Sequence, residues 1–475
     1  MMFAGIFHPP QRGCRAGDPG RRLVRTYKGL MIVIDDSDSA RTNEDAVVVS
    51  PINRVRGELH MPGDKSISHR AAMLSALAAG ESNLKNFSSA RDCVATLECL
   101  RSLGVRIVKN DARVVIEGSG SSGLQQPTHS LDARNSGTTM RLLAGILAGQ
   151  SFAATITGDD SLRARPMLRV AEPLRLMGAQ VEVAANGCAP LRIKGRRPLQ
   201  PIRYQLPIAS AQIKSAVLLA GLAADGVTTV EEPAQTRDHT ERILPQFGAR
   251  LTRNGNAHSI QGGLPLHSCN IFVPGDISSA AYFIAAAVAL PDSDLFIRDV
   301  GLNPTRTAFL STLRAMGANI SVADERLEDG EPAGTIHVRG RALKETVKLD
   351  VSDALVSSLI DELPLLAFVA ANIGCEMKLS NAKELRVKES DRIAATVENL
   401  SRMGAHIEER LDGWRLYRGS RLHGAHLSSF SDHRIAMACA VAALVATGTS
   451  EIEGARDSVS VSLPEFWTLL ESVSE

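Results

Sequence analysis

The chain has 475 residues, 44% of them apolar, and a formal net charge of +1 at pH 7. That length and apolar content allow two or three domains with substantial cores, and the neutral balance favours neither nucleic acid nor a membrane as a partner. Seven scattered cysteines without a CxxC pair point to neither a zinc site nor a disulfide framework. Since no apolar run is long enough for a membrane span, we expect a protein of a reducing, cytoplasmic compartment.

The N-terminal segment differs in composition from the rest of the chain. Residues 1–30 are basic and rich in glycine, with Asp18 as the one acid, and they contain no serine. Without serine or an amphipathic period, the segment does not fit a targeting peptide, which is the alternative interpretation. We therefore predict that residues 1–43 form a disordered extension outside the fold, with Met31 as the working start.

A short pattern recurs along the chain and consists of an apolar helix end, a glycine and a strand-like alternation. Its glycines are Gly104, Gly178, Gly248, Gly317 and Gly404. A glycine directly after the last apolar turn is typical of a left-handed helix C-cap. A second pattern, a polar cap before an Ala/Leu-rich helix, predicts helix starts near Ser66, Ser136, Ser210, Ser278, Asp361 and Ser431. Together the two patterns predict six repeated helix–strand units.

The six units divide into two halves of three. The turn Pro-Gly-Asp begins at Pro62 and again at Pro274, each time just before one of the predicted helices. The simplest explanation is a duplicated half, with the chain crossing between two similar domains at these turns. We predict that domain II is residues 64–273 and that domain I is residues 44–63 plus 274–475. Alternating helices and strands indicate the α/β (α+β) class, and a cleft between related domains is a common ligand site.

Several of the predicted helix starts and adjacent loops carry a cation. These cations are Lys65, Arg70, Arg141, Arg163, Arg165, Lys214, Arg237 and Arg434. A helix N-terminus already offers free N–H groups and the positive end of the helix dipole. At any one start, simple capping with solvated charges is the alternative. Because cations recur at several starts of a neutral chain, the pattern favours anion binding.

Two carboxylates lie near further cations. Glu389 follows Lys388, and Lys388 and Arg392 are spaced to share one face of a helix. Asp361 stands at the start of an apolar helix. A solvated charge cluster and a simple cap are the alternative interpretations. A carboxylate among cations also suits acid–base chemistry, so both carboxylates are candidate catalytic groups.

Six motifs occur in the order typical of one enzyme family. They are Pro-Gly-Asp-Lys-Ser-Ile-Ser-His-Arg from Pro62, Asn-Ser-Gly-Thr-Thr-Met-Arg from Asn135, Arg-Ala-Arg-Pro-Met from Arg163, Ser-Ala-Gln-Ile-Lys-Ser-Ala from Ser210, Arg-Val-Lys-Glu-Ser-Asp-Arg from Arg386 and Ser-Asp-His-Arg from Ser431. From Ser50 to the C-terminus the chain therefore resembles the EPSP synthases (3-phosphoshikimate 1-carboxyvinyltransferases), in particular a second bacterial subgroup. The resemblance implies an inside-out α/β barrel: two similar domains, each of three helix–strand units with parallel helices inside, joined by a two-strand hinge. It also implies transfer of the enolpyruvyl group of phosphoenolpyruvate to the 5-hydroxyl of shikimate 3-phosphate, with release of phosphate.

The resemblance assigns roles to the residues at matching positions. Shikimate 3-phosphate would be held by Lys65, Ser66, Arg70, Ser210, Ala211, Gln212, Arg237, Asp361 and Lys388. Phosphoenolpyruvate would be held by Lys65, Gly137, Arg165, Gln212, Arg392 and Arg434. The catalytic groups would be Lys65, Asp361 as acceptor of the 5-hydroxyl proton, and Lys388 with Glu389 for proton transfer at the methylene carbon. The resemblance further implies a monomer without metal or other cofactor, in which glyphosate competes with phosphoenolpyruvate.

Some positions depart from the family pattern, and two other functions remain as alternatives. Ala211 replaces a serine, Arg237 a Ser-x-x-Tyr pattern, Glu384 an asparagine and Val461 a lysine. A UDP-N-acetylglucosamine enolpyruvyl transferase shares the fold, but the position of its reactive cysteine is Asp160 here. A catalytically inactive binding protein of this fold would be expected to lose the acid–base groups, which this chain retains.

Overall fold

The computed structural model describes residues 23–27, 30–34, 45–341, 343 and 347–475. In the N-terminal segment, β1 (Leu23–Tyr27) and β2 (Leu30–Ile34) form an antiparallel hairpin. The remainder of the predicted disordered extension lies outside the described residues. Among the helices of the described ranges, none combines the length and the apolar character needed to cross a membrane.

The elements after the hairpin alternate between strand and helix, as expected for the α/β (α+β) class. The strands are β3 (Val47–Val49), β4 (Arg56–His60), β5 (Ala79–Lys85), β6 (Arg106–Asn110), β7 (Arg113–Ser119), β8 (Leu131–Asp132), β9 (Ala153–Thr157), β10 (Gln180–Glu182), β11 (Leu191–Lys194), β12 (Arg203–Gln205), β13 (Val227–Glu231), β14 (Leu251–Asn254), β15 (Ala257–Gln261), β16 (Ile271–Phe272), β17 (Asp294–Gly301), β18 (Asn319–Glu328), β19 (Glu331–Arg339), β20 (Lys348–Val351), β21 (Glu376–Leu379), β22 (Ile407–Arg410), β23 (Gly413–Leu416), β24 (His426–Ser428) and β25 (Ser450–Glu453). The α-helices are α1 (Lys65–Leu77), α2 (Arg91–Ser102), α3 (Gly137–Ala148), α4 (Asp160–Arg163), α5 (Leu168–Leu176), α6 (Ala211–Gly221), α7 (His239–Ile243), α8 (Ile277–Ala289), α9 (Ala308–Ala315), α10 (Asp353–Leu359), α11 (Leu363–Asn372), α12 (Arg392–Arg402), α13 (His433–Val445), α14 (Ala455–Ser460) and α15 (Phe466–Val473). Two 3₁₀ segments in the described ranges are Leu244–Phe247 and Lys383–Val387.

One strand arrangement recurs in the sheets: a parallel pair extended by two antiparallel neighbours. It is found in the sheets β16-β5-β7-β6, β8-β9-β11-β10, β12-β13-β15-β14, β4-β17-β19-β18 and β20-β21-β23-β22. A shorter version is β24-β25-β3, whose antiparallel strand comes from the segment before the first crossing. The recurrence confirms the six repeated units expected from the sequence.

The repeated glycines have the backbone conformation that the pattern predicts. Their φ angles are +85° at Gly104, +95° at Gly178, +83° at Gly248, +97° at Gly317 and +87° at Gly404. A Cβ atom is strongly disfavoured in this left-handed region, so glycine ends each helix and turns the chain into the next strand.

The helices that follow the polar caps form the interior of each half. They are α1, α3 and α6 in one half and α8, α11 and α13 in the other, and almost all of their residues are buried. Each begins within two residues of its predicted start. Two apolar clusters result, one within residues 67–273 and one combining residues 47–61 with 277–473. These clusters support, as a proposal, a division into domain II (64–273) and domain I (44–63 plus 274–475).

The close approach of α3 and α6 makes one glycine sensitive to substitution. A Cβ built on Gly145 would lie 2.2 Å from the backbone oxygen of Ala216, which cannot move independently of α6. We expect Gly145→Ala to lower the free energy of unfolding by about 1–3 kcal/mol, measured by urea denaturation. Gly301→Ala is the control, because its Cβ would meet ordinary contacts at 3.5 Å and 3.6 Å. Equal stability of the two variants would contradict the close packing.

Candidate active site

The two Pro-Gly-Asp turns lie side by side and pair with each other. The backbone N–H of Asp64 donates to Pro274 O at 2.7 Å, and that of Asp276 donates to Pro62 O at 3.0 Å. Each aspartate also caps a helix, since Asp64 accepts from Ile67 N and Asp276 from Ser278 N. The two chain crossings are thus hydrogen-bonded to each other and lie at the N-terminal ends of α1 and α8.

Arg306 holds the two capping aspartates together. Its buried guanidinium lies 3.1 Å from Asp64 Oδ2 and 3.5 Å from Asp276 Oδ1, and it donates to Ser278 Oγ at 2.7 Å. Burial tends to raise the pKa of Asp64, but Arg306 and His239 outweigh burial and lower that pKa to about 2. No sequence motif pointed to Arg306, because its partners are far away along the chain.

A cleft of about 700 Å³ opens between the two halves beside this crossing. The predicted site residues that line it are Lys65, Ser66, Arg70, Gly137, Arg165, Ser210, Ala211, Gln212, Arg237, Asp361, Lys388, Glu389 and Arg434. The remaining one, Arg392, is fully buried directly behind Asp361 and Glu389. The structure therefore brings all the predicted site residues to one place, although their roles remain predictions.

Helix N-termini point anion-binding groups at the cleft. The first turns of α1, α3, α6 and α13 contribute lining residues. Their caps are Asp64, Ser136, Ser210 and Asp432, each accepting a backbone N–H from its own helix. The remaining N–H groups and the helix dipoles favour negative charge at these ends.

Asp361 lies at the meeting point of three arginines. It pairs with Arg237, with Arg434 Nη2 at 3.3 Å and with Arg392 Nη1 at 3.4 Å. Burial tends to raise the pKa of Asp361, but the three guanidinium groups outweigh it and hold that pKa well below the usual value. The carboxylate is therefore ionised, and it becomes more basic when other anions take over its arginine partners.

Glu389 has a similar environment. Its Oε2 lies 2.7 Å from Arg392 Nη2, and its Oε1 lies 3.4 Å from Arg165 Nη1. Burial tends to raise the pKa of Glu389, but these guanidinium groups hold it well below the usual value. Next to it, burial lowers the pKa of Lys388 more than its neighbouring carboxylates raise it. A carboxylate and an ammonium group with shifted pKa values are thus adjacent in one cleft, as acid–base chemistry requires.

The predicted helical pairing of Lys388 and Arg392 is wrong. Lys388 ends a 3₁₀ segment in an extended conformation, and α12 begins only at Arg392. The reason is local: the side chain of Asp391 caps α12 by accepting from Ile393 N and Ala394 N, each at 3.1 Å. Both cations nevertheless act on Asp361, because the loop brings Lys388 back to the cleft.

Three ion pairs connect the two halves across the cleft. They are Arg237 with Asp361, Arg165 with Glu389 at 3.4 Å, and Arg169 with Glu384 at 3.1 Å. Each joins a cation from residues 64–273 to a carboxylate from residues 274–475. Incoming anions can replace these three carboxylates as partners of the cations, so ligand binding and release of the carboxylates are coupled.

Lys65 and His433 meet at the same end of the cleft. Lys65 Nζ lies 3.1 Å from Asp92 Oδ2. Burial tends to lower the pKa of Lys65, but Asp92 more than compensates and raises it. Burial, reinforced by Lys65, lowers the pKa of His433 to about 3. The imidazole is therefore neutral, and its buried Nε2 has no hydrogen-bond partner among the described residues.

Arg70 and Gln212 are positioned by several hydrogen bonds. Arg70 donates to Thr240 Oγ1 at 2.6 Å, to Ser66 O at 2.8 Å and to Ser215 Oγ at 2.8 Å. The side chain of Gln212 accepts from Arg141 Nη1 at 2.9 Å. Sequence reasoning named Arg141 as a helix-start cation but assigned it no role in the site. Its contact with Gln212 shows that it orients a predicted binding residue.

Two cations predicted to bind anions do not lie in the cleft. Lys214 is completely buried and pairs with Glu232 and Glu241. Arg163 is half exposed and pairs with Asp160 at the surface. Both predictions are wrong, because the direction of a side chain from its helix depends on packing partners that the motif does not contain.

The paired halves and the cation-lined cleft between them are the features of the class of proteins that bind small anions between two similar halves. A family model described as EPSP synthase (3-phosphoshikimate 1-carboxyvinyltransferase) matches residues 49–470. The 3-phosphoshikimate 1-carboxyvinyltransferases of Desulforudis audaxviator and Bacillus subtilis are 50% and 44% identical, covering 90% and 89% of this chain and 98% of each relative. A solved EPSP synthase from Acinetobacter baumannii gives a TM-score of 0.81 at 41% identity, covering 90% of this chain and 98% of that one. The chain therefore belongs to the EPSP synthase family, and the predicted fold is confirmed.

Proposed function

We propose that this chain transfers the enolpyruvyl group of phosphoenolpyruvate to the 5-hydroxyl group of shikimate 3-phosphate, releasing phosphate, in aromatic amino acid biosynthesis. Membership of the EPSP synthase family supports this activity. The observation that carries the chemistry is the pair Asp361 and Glu389, two carboxylates that share Arg392 in one cleft. An addition–elimination reaction needs a base and an acid that exchange roles. Asp361 supplies the base, and Glu389 together with the adjacent ammonium group of Lys388 supplies the proton transfer at the methylene carbon.

Each substrate carries a phosphate and a carboxylate, which matches the cations of the cleft. In this proposal, shikimate 3-phosphate is held by Lys65, Ser66, Arg70, Ser210, Ala211, Gln212, Arg237, Asp361 and Lys388. Phosphoenolpyruvate is held by Lys65, Gly137, Arg165, Gln212, Arg392 and Arg434. Binding transfers the arginines from the protein carboxylates to substrate anions, which raises the basicity of the carboxylates at the moment the substrates are in place.

The first chemical step is an addition. Asp361 accepts the proton of the 5-hydroxyl while the oxygen forms a bond to C2 of phosphoenolpyruvate. The methylene carbon takes a proton from the ammonium group of Lys388, or from Glu389 after that carboxylate has lost its arginine partners and taken up a proton, and becomes a methyl group. The product is a tetrahedral intermediate. The surrounding guanidinium groups stabilise the charge that develops in a cleft from which the substrates displace water.

The second step is an elimination that restores the protein groups. The carbon–phosphate oxygen bond breaks, and phosphate leaves with the electron pair of that bond. The proton that Asp361 accepted from the 5-hydroxyl passes to the departing phosphate, which returns Asp361 to its carboxylate form. The group that protonated the methyl carbon takes a proton back, so the enol ether double bond forms. Lys65 is proposed to neutralise the departing phosphate, since its ammonium group is held beside the cleft by Asp92. We further propose that the enzyme acts in the cytoplasm as a monomer without a cofactor.

The decisive experiment is an acceptor comparison. Phosphate release is measured with phosphoenolpyruvate plus shikimate 3-phosphate, and again with UDP-N-acetylglucosamine as the acceptor. We expect release only with shikimate 3-phosphate. Release with the nucleotide sugar would identify the other enolpyruvyl transferase activity, and release with neither acceptor would identify an inactive binding protein.

Gly137 leaves space for the anion end of phosphoenolpyruvate. A Cβ at this position would lie 2.6 Å from Arg141 Nη1 and 3.4 Å from Arg165 Nη1, both at the ends of flexible side chains. We expect Gly137→Ala to fold normally and to raise KM for phosphoenolpyruvate about tenfold, because a displaced positioning group weakens substrate alignment. Inhibition by glyphosate should weaken in parallel. An unchanged KM in phosphate-release kinetics would remove Gly137 from the proposed subsite.

A further inference from the structure

A fully buried ionic cluster lies beside the cleft and is not used by the proposed mechanism. Its members are Lys214 on α6, Glu232 after β13, Glu241 on α7 and His258 on β15, all of them less than one-tenth exposed. The carboxylates and the imidazole have ligand atoms within 4.8 Å of one another, a spacing suited to a metal ion. The cluster contains its own cation, however, since Lys214 Nζ lies 3.0 Å from Glu232 Oε1 and 2.7 Å from Glu241 Oε1.

The imidazole of His258 completes the cluster. Its Nε2 lies 3.2 Å from Glu232 Oε1, and its Nδ1 lies 3.4 Å from Glu241 Oε1. The imidazole is hydrogen-bonded to Glu232 through Nε2, whereas its buried Nδ1 has no hydrogen-bond partner among the described residues. Replacing a buried ion pair by apolar residues is often neutral or even stabilising, so these pairs are weak evidence for a role in stability alone.

One carboxylate of the cluster anchors a loop that leads into the cleft. Glu232 Oε2 accepts from the backbone N–H of Thr236 at 3.1 Å and from Thr236 Oγ1 at 2.5 Å. The next residue is Arg237, whose guanidinium pairs with Asp361 across the cleft. The position of Arg237 is therefore set by a carboxylate that itself lies outside the cleft lining.

The other carboxylate belongs to a second element of the site. Glu241 on α7 follows Thr240, which accepts a hydrogen bond from Arg70 at 2.6 Å. Lys214 follows Gln212 by two residues on α6, and both Arg70 and Gln212 line the cleft. Lys214 on α6 thus pairs with Glu232, which anchors the loop of Arg237, and with Glu241 on α7, whose neighbour Thr240 holds Arg70. Gln212, Arg237 and Arg70 were all predicted to hold shikimate 3-phosphate.

We infer that Lys214 and Glu232 are positioning residues for shikimate 3-phosphate: the buried ammonium group fixes Glu232, and Glu232 fixes the Thr236–Arg237 loop against the ligand. The inference rests on the proposed function. It requires that loosening the cluster weakens binding of one substrate selectively, because the residues proposed for phosphoenolpyruvate lie mainly on other elements. Turnover should change less, since Asp361 keeps Arg392 and Arg434 as partners when Arg237 moves.

The primary test is Glu232→Gln, which keeps the size of the side chain. Glu232 accepts from Lys214 with one oxygen and from Thr236 with the other, whereas glutamine has only one acceptor oxygen and turns an NH₂ donor toward one of these partners. We expect KM for shikimate 3-phosphate to rise about tenfold, which corresponds to a loss of about 1.4 kcal/mol of binding free energy. KM for phosphoenolpyruvate and kcat should stay within about threefold of wild type, since these depend on other contacts. Glu231→Gln is the matched control, because the carboxylate of Glu231 itself pairs with Arg203 at the surface.

A second pair of variants keeps the inference testable if Glu232→Gln does not fold. Thr236→Val removes the anchored hydroxyl while leaving the Lys214–Glu232 pair intact, and Thr236→Ser restores the hydroxyl. We expect the valine variant to show the same selective rise in KM and the serine variant to recover wild-type kinetics. An unchanged KM, an equal rise in both KM values, or a serine variant no better than valine would each overturn the inference. A wild-type protein that releases no phosphate would instead refute the proposed function.

Discussion

Replacing Asp361 by asparagine should lower kcat about a thousandfold, because a carboxamide cannot accept the 5-hydroxyl proton. The variant should still fold, since asparagine keeps the size of the side chain and one acceptor oxygen. Arg392 also keeps Asp432 at 2.7 Å, and Arg434 keeps Glu362 at 3.7 Å, as carboxylate partners. KM for shikimate 3-phosphate should change much less than kcat. Initial rates of phosphate release over a range of both substrates measure these quantities directly.

The control for this prediction is Asp294→Asn. Asp294 lies on β17 and pairs with His337 outside the cleft lining, so its loss should leave kcat unchanged. If the Asp361→Asn protein kept more than about a tenth of the wild-type kcat, Asp361 could not be the proton acceptor, because general base catalysis contributes at least a hundredfold.

The second large effect is expected at the crossing between the halves. Arg306→Met leaves Asp64 and Asp276 buried without their shared cation, which should cost about 3–5 kcal/mol of unfolding free energy. Because the pKa of Asp64 lies at about 2 rather than its usual 3.8, this stability is present above about pH 4 and is lost as the pH falls toward 2. Urea denaturation at pH 7 measures the loss of unfolding free energy, and the same measurement at pH 3 shows how much of that loss depends on the ionised Asp64.

A nearby arginine provides the comparison. Arg298 pairs with Glu58 at the exposed surface, so Arg298→Met should leave the stability nearly unchanged. Similar losses in the two variants would contradict the view that Arg306 holds the crossing together. A loss in Arg306→Met that persisted undiminished at pH 3 would show that packing, rather than the ion pairs, accounts for it.

Much of the local structure was predictable because it depends on neighbours in the chain. The glycine at position 248 ends its helix with φ +83°, and Ser136 caps α3 by accepting from Thr139 N at 3.1 Å. These contacts span three or four residues, so a sequence pattern contains all the information they need. The resemblance to the EPSP synthases also pointed to residues that gather at one cleft, and four of its six motifs lie at the starts of interior helices. The roles of these residues stay predictions.

Predictions failed where a side chain at a helix start could face either the cleft or the protein interior. Lys214 and Arg434 both lie within the first turns of interior helices, yet Arg434 faces the cleft and Lys214 faces Glu232 and Glu241. Likewise Lys388 and Arg392 were expected on one helix, and the cap at Asp391 separates them. The spacing of residues along a helix does not predict which residues from other elements pack against each face of that helix.

The caps, the left-handed glycines, the six units and the family were predictable from the amino-acid sequence, because each depends on contacts between residues close along the chain or on whole motifs. The folded structure was needed to show that Arg306 joins the twin aspartates, that three ion pairs cross the cleft, and that Lys214 is an internal cation. Those interactions join residues from separate units. Their geometry exists only once the two halves have packed and long-range burial has fixed which charges must be paired.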